Sequence, residues 1–196
     1  MGLKKVDEIT LKIKGSIEEF IKILEEKGFK VADEFLLDDT YFIPVTLDIA
    51  SMTVREILSY AVLIRDIEDY TDKTKTKKIT YKMKKIDEEG NILEQSSINC
   101  DITNIEDAKK LLTAIGYRPI MRIKENDVVY EKDGYEIVVK DVENGEKLIE
   151  VESDEKFDSI DKLIQKILEY ELPVYTDNYF VKKAEIELEK VLNKWK

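Results

Sequence analysis

Apolar and polar residues alternate along most of this chain, and in a few places the alternation gives way to helical spacing. From Val6 to Lys14, Ile9, Leu11 and Ile13 fall on one side and Glu8, Thr10, Lys12 and Lys14 on the other, which predicts a strand. Ser16 and Glu19 then form a capping-box signature, Ile17, Phe20, Ile21 and Leu24 make a helical stripe, and Gly28 supplies the stop. A helix from Ile17 to Lys27 follows, and Phe35 to Ile43 reads as extended up to Pro44. The same syntax returns in the second half: the alternating run Asn91 to Ile102, a capping box of Thr103 and Glu106, a helix from Ile105 to Ile115, and Gly116. Gly28-Phe29 and Gly116-Tyr117 hold corresponding places, so the pattern predicts an internal duplication of strand, capped helix, glycine and strand.

Between the repeats, Met52 to Ser59 reads as a short helix capped by Thr53, Tyr60 to Glu68 as a strand, and Asp69 to Lys78 as an exposed polar loop. Ile79 to Ile86 and Asn91 to Ile102 flank Asp87-Glu88-Glu89-Gly90, a hairpin turn. Arg118 to Glu131, Tyr135 to Val142 and Glu146 to Val151 are joined through Lys132-Asp133-Gly134 and Glu143-Asn144-Gly145 into a meander. Helices from Phe157 to Tyr170 and Asp177 to Trp195, separated by Pro173, end the sequence. No interdomain linker stands out, so the expectation is one α+β domain over residues 1–196.

Composition narrows the chemistry. Acidic residues outnumber basic ones by 43 to 32, and a formal charge of −11 argues against a general role on nucleic-acid backbones. With no histidine and only Cys100, the chain has no Ser-His or Cys-His pair, no histidine-bound zinc and no internal disulfide. Cys100 reads as a packing residue. The lone cysteine and the lack of a signal-peptide pattern point to a cytoplasmic protein, and the apolar runs are far shorter than the roughly 20 residues that span a bilayer. Carboxylates, lysines, arginines and an oxygen-bound metal are what remains for chemistry.

Several strands carry long charged side chains on one side: Glu8 and Lys12; Lys82 and Lys84; Arg118, Arg122 and Lys124; Lys140, Glu150 and Glu152. A solvated face explains any one of these strands. If helices instead cover the apolar outside of a closed sheet, the polar faces line a lumen, where unpaired charge is costly and a polyanion with divalent cations would satisfy both signs.

The order of short motifs resembles the CYTH superfamily, which includes class IV adenylate cyclases and thiamine triphosphatases, also called triphosphate tunnel metalloenzymes. Glu8-Ile9-Thr10-Leu11-Lys12 is similar to its N-terminal Glu-x-Glu-x-Lys strand, and Gly28-Phe29 followed by Asp39-Thr40-Tyr41-Phe42 to its next helix end and strand. Val62-Leu63-Ile64-Arg65, Thr80-Tyr81-Lys82, Arg122-Ile123-Lys124 and Glu150-Val151-Glu152 resemble later strands, so the likeness covers nearly the whole chain. It implies a closed antiparallel eight-stranded β-barrel with helices packed outside. It further implies a basic tunnel for a triphosphate-bearing small molecule such as ATP, thiamine triphosphate or inorganic triphosphate, and Mg²⁺ or Mn²⁺ as cofactor. By position, phosphate contacts would come from Lys12, Arg65, Lys82, Arg122 and Lys124 and metal ligands from Glu8, Glu150 and Glu152; the charged strand sides add Lys84 and Lys140 as candidate phosphate contacts. Neither a nucleic-acid nor a membrane partner is expected, and a homodimer is left open.

The departures have equal weight. Thr10 stands for the second signature glutamate, Leu63 for the first arginine of its strand, Gln95-Ser96-Ser97-Ile98-Asn99 for an acidic run, and Lys140 for an aspartate. Three readings follow: a metal-dependent triphosphatase or cyclase, a noncatalytic binder that keeps the tunnel, and a structural domain with a salt-bridged interior.

Overall fold

A computed structural model describes residues 8–86, 92–152 and 160–193. Its strands are β1 (Glu8–Lys12), β2 (Lys30–Pro44), β3 (Val62–Asp69), β4 (Thr74–Ile86), β5 (Ile92–Asp101), β6 (Tyr117–Lys132), β7 (Tyr135–Val142) and β8 (Lys147–Glu152). Five α-helices accompany them among the described residues: α1 (Ile17–Glu26), α2 (Val54–Ser59), α3 (Ile105–Ala114), α4 (Ile160–Glu169) and α5 (Lys183–Asn193). The strands make one eight-stranded antiparallel sheet in the order β1-β8-β7-β6-β2-β3-β4-β5. That order reads alike from the central β6–β2 pair outward: each side is a three-stranded meander followed by the strand that precedes a helix.

The register repeats the symmetry. Gly28 and Gly116 are 88 positions apart, as are Asp39 and Asp127, and Phe35 and Ile123. Asp39 pairs with Ile123 and Phe35 with Asp127, so the 88-residue offset exchanges one pair for the other. Both glycines follow a helix in the left-handed region, φ +87° and +91°, which a side chain adopts only at a cost.

One face of the sheet is apolar and helix-covered. Ile9, Leu11, Ile137, Val139, Ile149 and Val151 pack with Phe20 and Leu24 of α1 and Leu163 and Ile167 of α4; Phe42 and Ile64 pack with Ala108 and Leu112 of α3. The opposite face carries most buried charge and is called the charged face here. Its centre is apolar: Tyr41, Ile43, Leu63, Met121, Ile123 and Val142 are covered by Ile57 of α2 and Leu188 of α5.

Four local expectations are corrected. The loop Asp69–Lys78 shrinks to a turn, because β3 runs to Asp69 and β4 starts at Thr74, where alternating threonines and lysines face the acids of β3 (Lys75 to Glu68, 3.0 Å). The cap of α3 is Asn104, not Thr103: its Oδ1 accepts from the N–H groups of Glu106 (2.9 Å) and Asp107 (3.3 Å). β2 begins at Lys30, earlier than its apolar run suggests. The last helix starts only at Lys183, because the preceding segment bridges β1 at two separate points, Val174 antiparallel to Ile13 and Phe180 parallel to Thr10. There Lys14 N–H donates to Pro173 O, Tyr175 N–H to Lys12 O, Thr10 N–H to Tyr179 O and Val181 N–H to Thr10 O, all within 2.8–3.0 Å. This segment satisfies the outer edge of β1, which otherwise presents unpaired backbone groups. The hairpin turn expected at residues 87–90 and the start of the helix expected from Phe157 lie outside the described residues.

Candidate functional site

The period-two geometry of a strand decides which predicted residues can meet. Glu8, Thr10 and Lys12 share a side of β1 opposite Ile9 and Leu11; Lys140 and Glu150 continue that side on β7 and β8, and Arg65, Lys78 and Lys82 on β3 and β4. The charged face thus brings together Lys12, Arg65, Lys82, Lys140, Glu8 and Glu150. Lys84 and Glu152 belong by backbone to β4 and β8, Glu152 as the register partner of Glu8; their side chains lie outside the described residues.

Arg122 and Lys124 are not part of this group. On β6 the charged face receives Met121, Ile123, Glu125 and Asp127, and Arg122 and Lys124 fall on the helix-covered side. Arg122 is 63% exposed and forks onto Asp38, its Nε 2.7 Å from Oδ1. Hydrogen bonding to Arg122 holds the Asp38 carboxyl below the usual range despite partial burial. The expectation that these two cations join the others is therefore corrected. An alternating Arg-Ile-Lys run fits either side, and here Ile123 is claimed by the apolar centre under α5. Arg122 lines an outer cleft of about 340 Å³ with Asp38, Asp66, Lys77, Glu106 and Lys109, where the opposite charges balance.

Two cross-strand ion pairs dominate the charged face; their aspartates, Asp39 and Asp127, correspond under the 88-residue offset, and each meets a cation on the strand that follows its own. On β2–β3, Arg65 donates through Nε and Nη2 to the two oxygens of Asp39 at 2.7 and 2.6 Å, with Asp39 only 2% exposed. Burial works to lower the Arg65 pKa, but the Asp39 carboxylate outweighs it and the guanidinium stays charged. On β6–β7, Lys140 Nζ donates to Asp127 Oδ2 at 2.7 Å and lies 3.4 Å from Glu150 Oε1. Asp127 is fully buried and Lys140 6% exposed. Burial pushes the Asp127 carboxyl up to about 6 against the pull of Lys140. Burial also works against the Lys140 charge, but Glu150, Asp127 and Glu125 more than compensate and raise its pKa.

The acids of β6 are incompletely matched. Glu125, 2% exposed, receives Lys183 of α5, yet its Oε2 and the Oδ1 of Asp127 have no hydrogen-bond partner. At the rim Lys12 pairs with Glu146 at 3.2 Å, and Thr10 Oγ1 donates to Glu8 Oε1 at 3.2 Å.

The first half sets two cations side by side instead. Asp39, Arg65, Lys78 and Asp101 form one row of directly opposed residues across β2, β3, β4 and β5, so Arg65 and Lys78 stand side by side. No ion pair joins Lys78 to Asp101 within 4.0 Å among the described residues. Next to this row, Thr80 donates to Asn99 Oδ1 at 2.8 Å, and Lys82 follows on the same side.

Of the implied metal ligands, Glu8 and Glu150 can be placed among the described residues and the Glu152 side chain cannot. No three acidic, histidine or cysteine side chains among them gather around one point, and the ammonium of Lys140 already stands between Asp127 and Glu150.

Sequence reading missed Asp127, Glu125, Lys78 and Lys183. The 88-residue spacing that pairs Gly28 with Gly116 also pairs Asp39 with Asp127 and could have found the second acid. Lys78 was hidden in the supposed loop, and nothing local marks Lys183.

No family model and no curated protein sequence matches this chain. Solved structures do match it over nearly its whole length. PH1819 from Pyrococcus horikoshii OT3 superposes with a TM-score of 0.66 at 20% identity, over 96% of this chain and 99% of that one. A candidate adenylate cyclase from Vibrio parahaemolyticus gives 0.57 at 11% identity, over 98% and 99%. The candidate adenylyl cyclase HpAC1 from Hippeastrum, for which a dominant triphosphatase activity is described, gives 0.57 at 14%, over 98% and 97%. The fold is therefore the CYTH-like fold shared with these candidate cyclases. No helix among the described residues is long and apolar enough to cross a membrane.

Proposed function

We propose that this chain binds a triphosphate-bearing small molecule on its charged face and does not turn it over by a divalent-metal mechanism. The observation that carries the reading is the direct opposition of Arg65 and Lys78. Like charges opposed across a strand pair are destabilising. Asp39 holds Arg65 in an ion pair while Asp101 stands opposite Lys78 without a close one, and an anion spanning Arg65, Lys78 and Lys82 relieves the opposition. On this reading the sheet curls about its charged face into the tunnel that the resemblance implies, so that the phosphates are held out of bulk water.

A second reading keeps the same ligand and adds hydrolysis or cyclisation with Mg²⁺ or Mn²⁺. It is favoured by the register that sets Glu8 opposite Glu152 and Thr10 opposite Glu150, and by the likeness to HpAC1.

Calorimetry with inorganic triphosphate, ATP and thiamine triphosphate in EDTA, followed by product analysis with each metal, separates the two. Binding in EDTA is expected for at least one ligand, without phosphate, pyrophosphate or cyclic nucleotide appearing later. Lys78→Ala weakens that binding about tenfold or more, the loss of one hydrogen bond to a charged group. Lys75→Ala, on the other side of β4 and paired with Glu68, leaves it unchanged. Products formed only with metal establish the second reading, and absence of binding by all three ligands rejects both.

A further inference from the structure

The second buried pair has one feature that the first lacks: its cation lies among more acids than it can satisfy. Lys140 Nζ touches Asp127 and Glu150, Glu125 adds to its field, and one oxygen each of Asp127 and Glu125 is buried without a partner. Buried carboxylate oxygens are rarely left bare, and two neighbouring carboxylates can ligate a hard cation even though no third gathers at the same point among the described residues. Yet the space between Asp127 and Glu150 already holds a positive charge, fixed by its own strand and 6% exposed.

We propose that Lys140 is a tethered replacement for a divalent cation: its ammonium occupies a latent oxygen-ligand site formed by Asp127 and Glu150, with Glu125 beside it. The native chain accordingly takes up no divalent ion there, because an ion would have to displace or deprotonate a lysine held by two carboxylates. The site shares Glu150 with the Glu8, Glu150 and Glu152 set implied by the resemblance and differs from it in drawing its other carboxylates from β6. It is independent of whether triphosphate binds at Arg65 and Lys78.

The probe is Mn²⁺ alone, followed by electron paramagnetic resonance in the native chain and in Lys140→Met, which is unbranched, one atom shorter and uncharged. The native chain is expected to show no Mn²⁺ binding that Asp127→Asn abolishes. Lys140→Met should bind Mn²⁺ about tenfold tighter or more, since a buried like charge is gone and two carboxylates are released. Adding Asp127→Asn to Lys140→Met should remove that gain. Native Mn²⁺ binding that depends on Asp127, or a folded Lys140→Met chain with no gain, overturns the proposal. Should Lys140→Met fail to fold, the native chain still decides through the ¹⁵N resonance of the Lys140 ammonium. A signal that persists at equimolar Mn²⁺ supports the tethered cation, and one broadened away by the paramagnetic ion overturns it.

Discussion

The two halves of this sheet start from one plan and reach opposite electrostatic ends. In each, an aspartate that follows the glycine stop by the same number of residues meets a cation on the next strand. In the first half that cation is an arginine, whose planar fork satisfies both oxygens of Asp39. In the second it is a lysine, a point charge that satisfies one oxygen of Asp127 and reaches for Glu150. The first pair closes upon itself, with Lys78 beside it opposite Asp101; the second stays open and leaves acid in surplus. Side-chain geometry, more than charge count, thus decides which half can receive an anion.

Breaking each pair from its acidic side tests this contrast most strongly. Asp127→Ala should destabilise the fold by about 3 to 5 kcal/mol, because it strips a nearly buried ammonium of its shortest contact. Asp39→Ala should cost less, about 1.5 to 3 kcal/mol, since the Arg65 side chain is 22% exposed and can regain water. Urea unfolding of both variants measures the difference; equal or reversed losses mean that the pairs are energetically alike. The double change Asp127→Leu with Lys140→Met should recover most of the loss, as a hydrophobic replacement of a buried pair often does.

Titration sharpens the comparison further. The Asp127 carboxyl, raised to about 6 when folded against about 3.9 when unfolded, binds its proton more tightly in the native chain. Its contribution to stability is therefore fully present below about pH 4 and is lost as the pH rises through about 6. A ¹³C titration of the Asp127 carboxyl should show a midpoint near 6, and a midpoint at or below 4 means that Lys140 satisfies it better than the contacts indicate.

The smallest effects concern the two glycines. A methyl group at Gly28 or Gly116 has room, with no atom nearer than about 4.0 Å, so the cost is that of the left-handed backbone alone. Gly28→Ala and Gly116→Ala should each lose about 1 to 2 kcal/mol in thermal unfolding. Costs that differ by more than a factor of two argue that the repeat is not equivalent at its turns.

Much of this was legible in local pattern. The alternation around Ile9 to Ile13, the cap at Ser16, both glycine stops and the Asp133-Gly134 and Asn144-Gly145 turns emerge where the sequence puts them, because each is set by residues within a few positions of one another. Where the pattern suits two environments equally it misleads. Thr74 to Lys77 is polar on both sides and reads as loop, but becomes strand because β3 supplies partners for it. Arg122-Ile123-Lys124 alternates cleanly, yet alternation has no sign.

The sequence by itself determined the strands, the helices, the duplication signal and the chemistry left to a chain without histidine. The tertiary structure alone decided that Ile123, and not Arg122 or Lys124, faces the charged side. It also joined Arg65 to Asp39 and Lys140 to Asp127, and set Lys78 beside Arg65. The physical reason is that a strand offers two equivalent sides and a cation many partners. Which side is buried and which acid lies opposite are fixed by neighbours far away in the chain, here α5 over the sheet centre and the β2–β6 register.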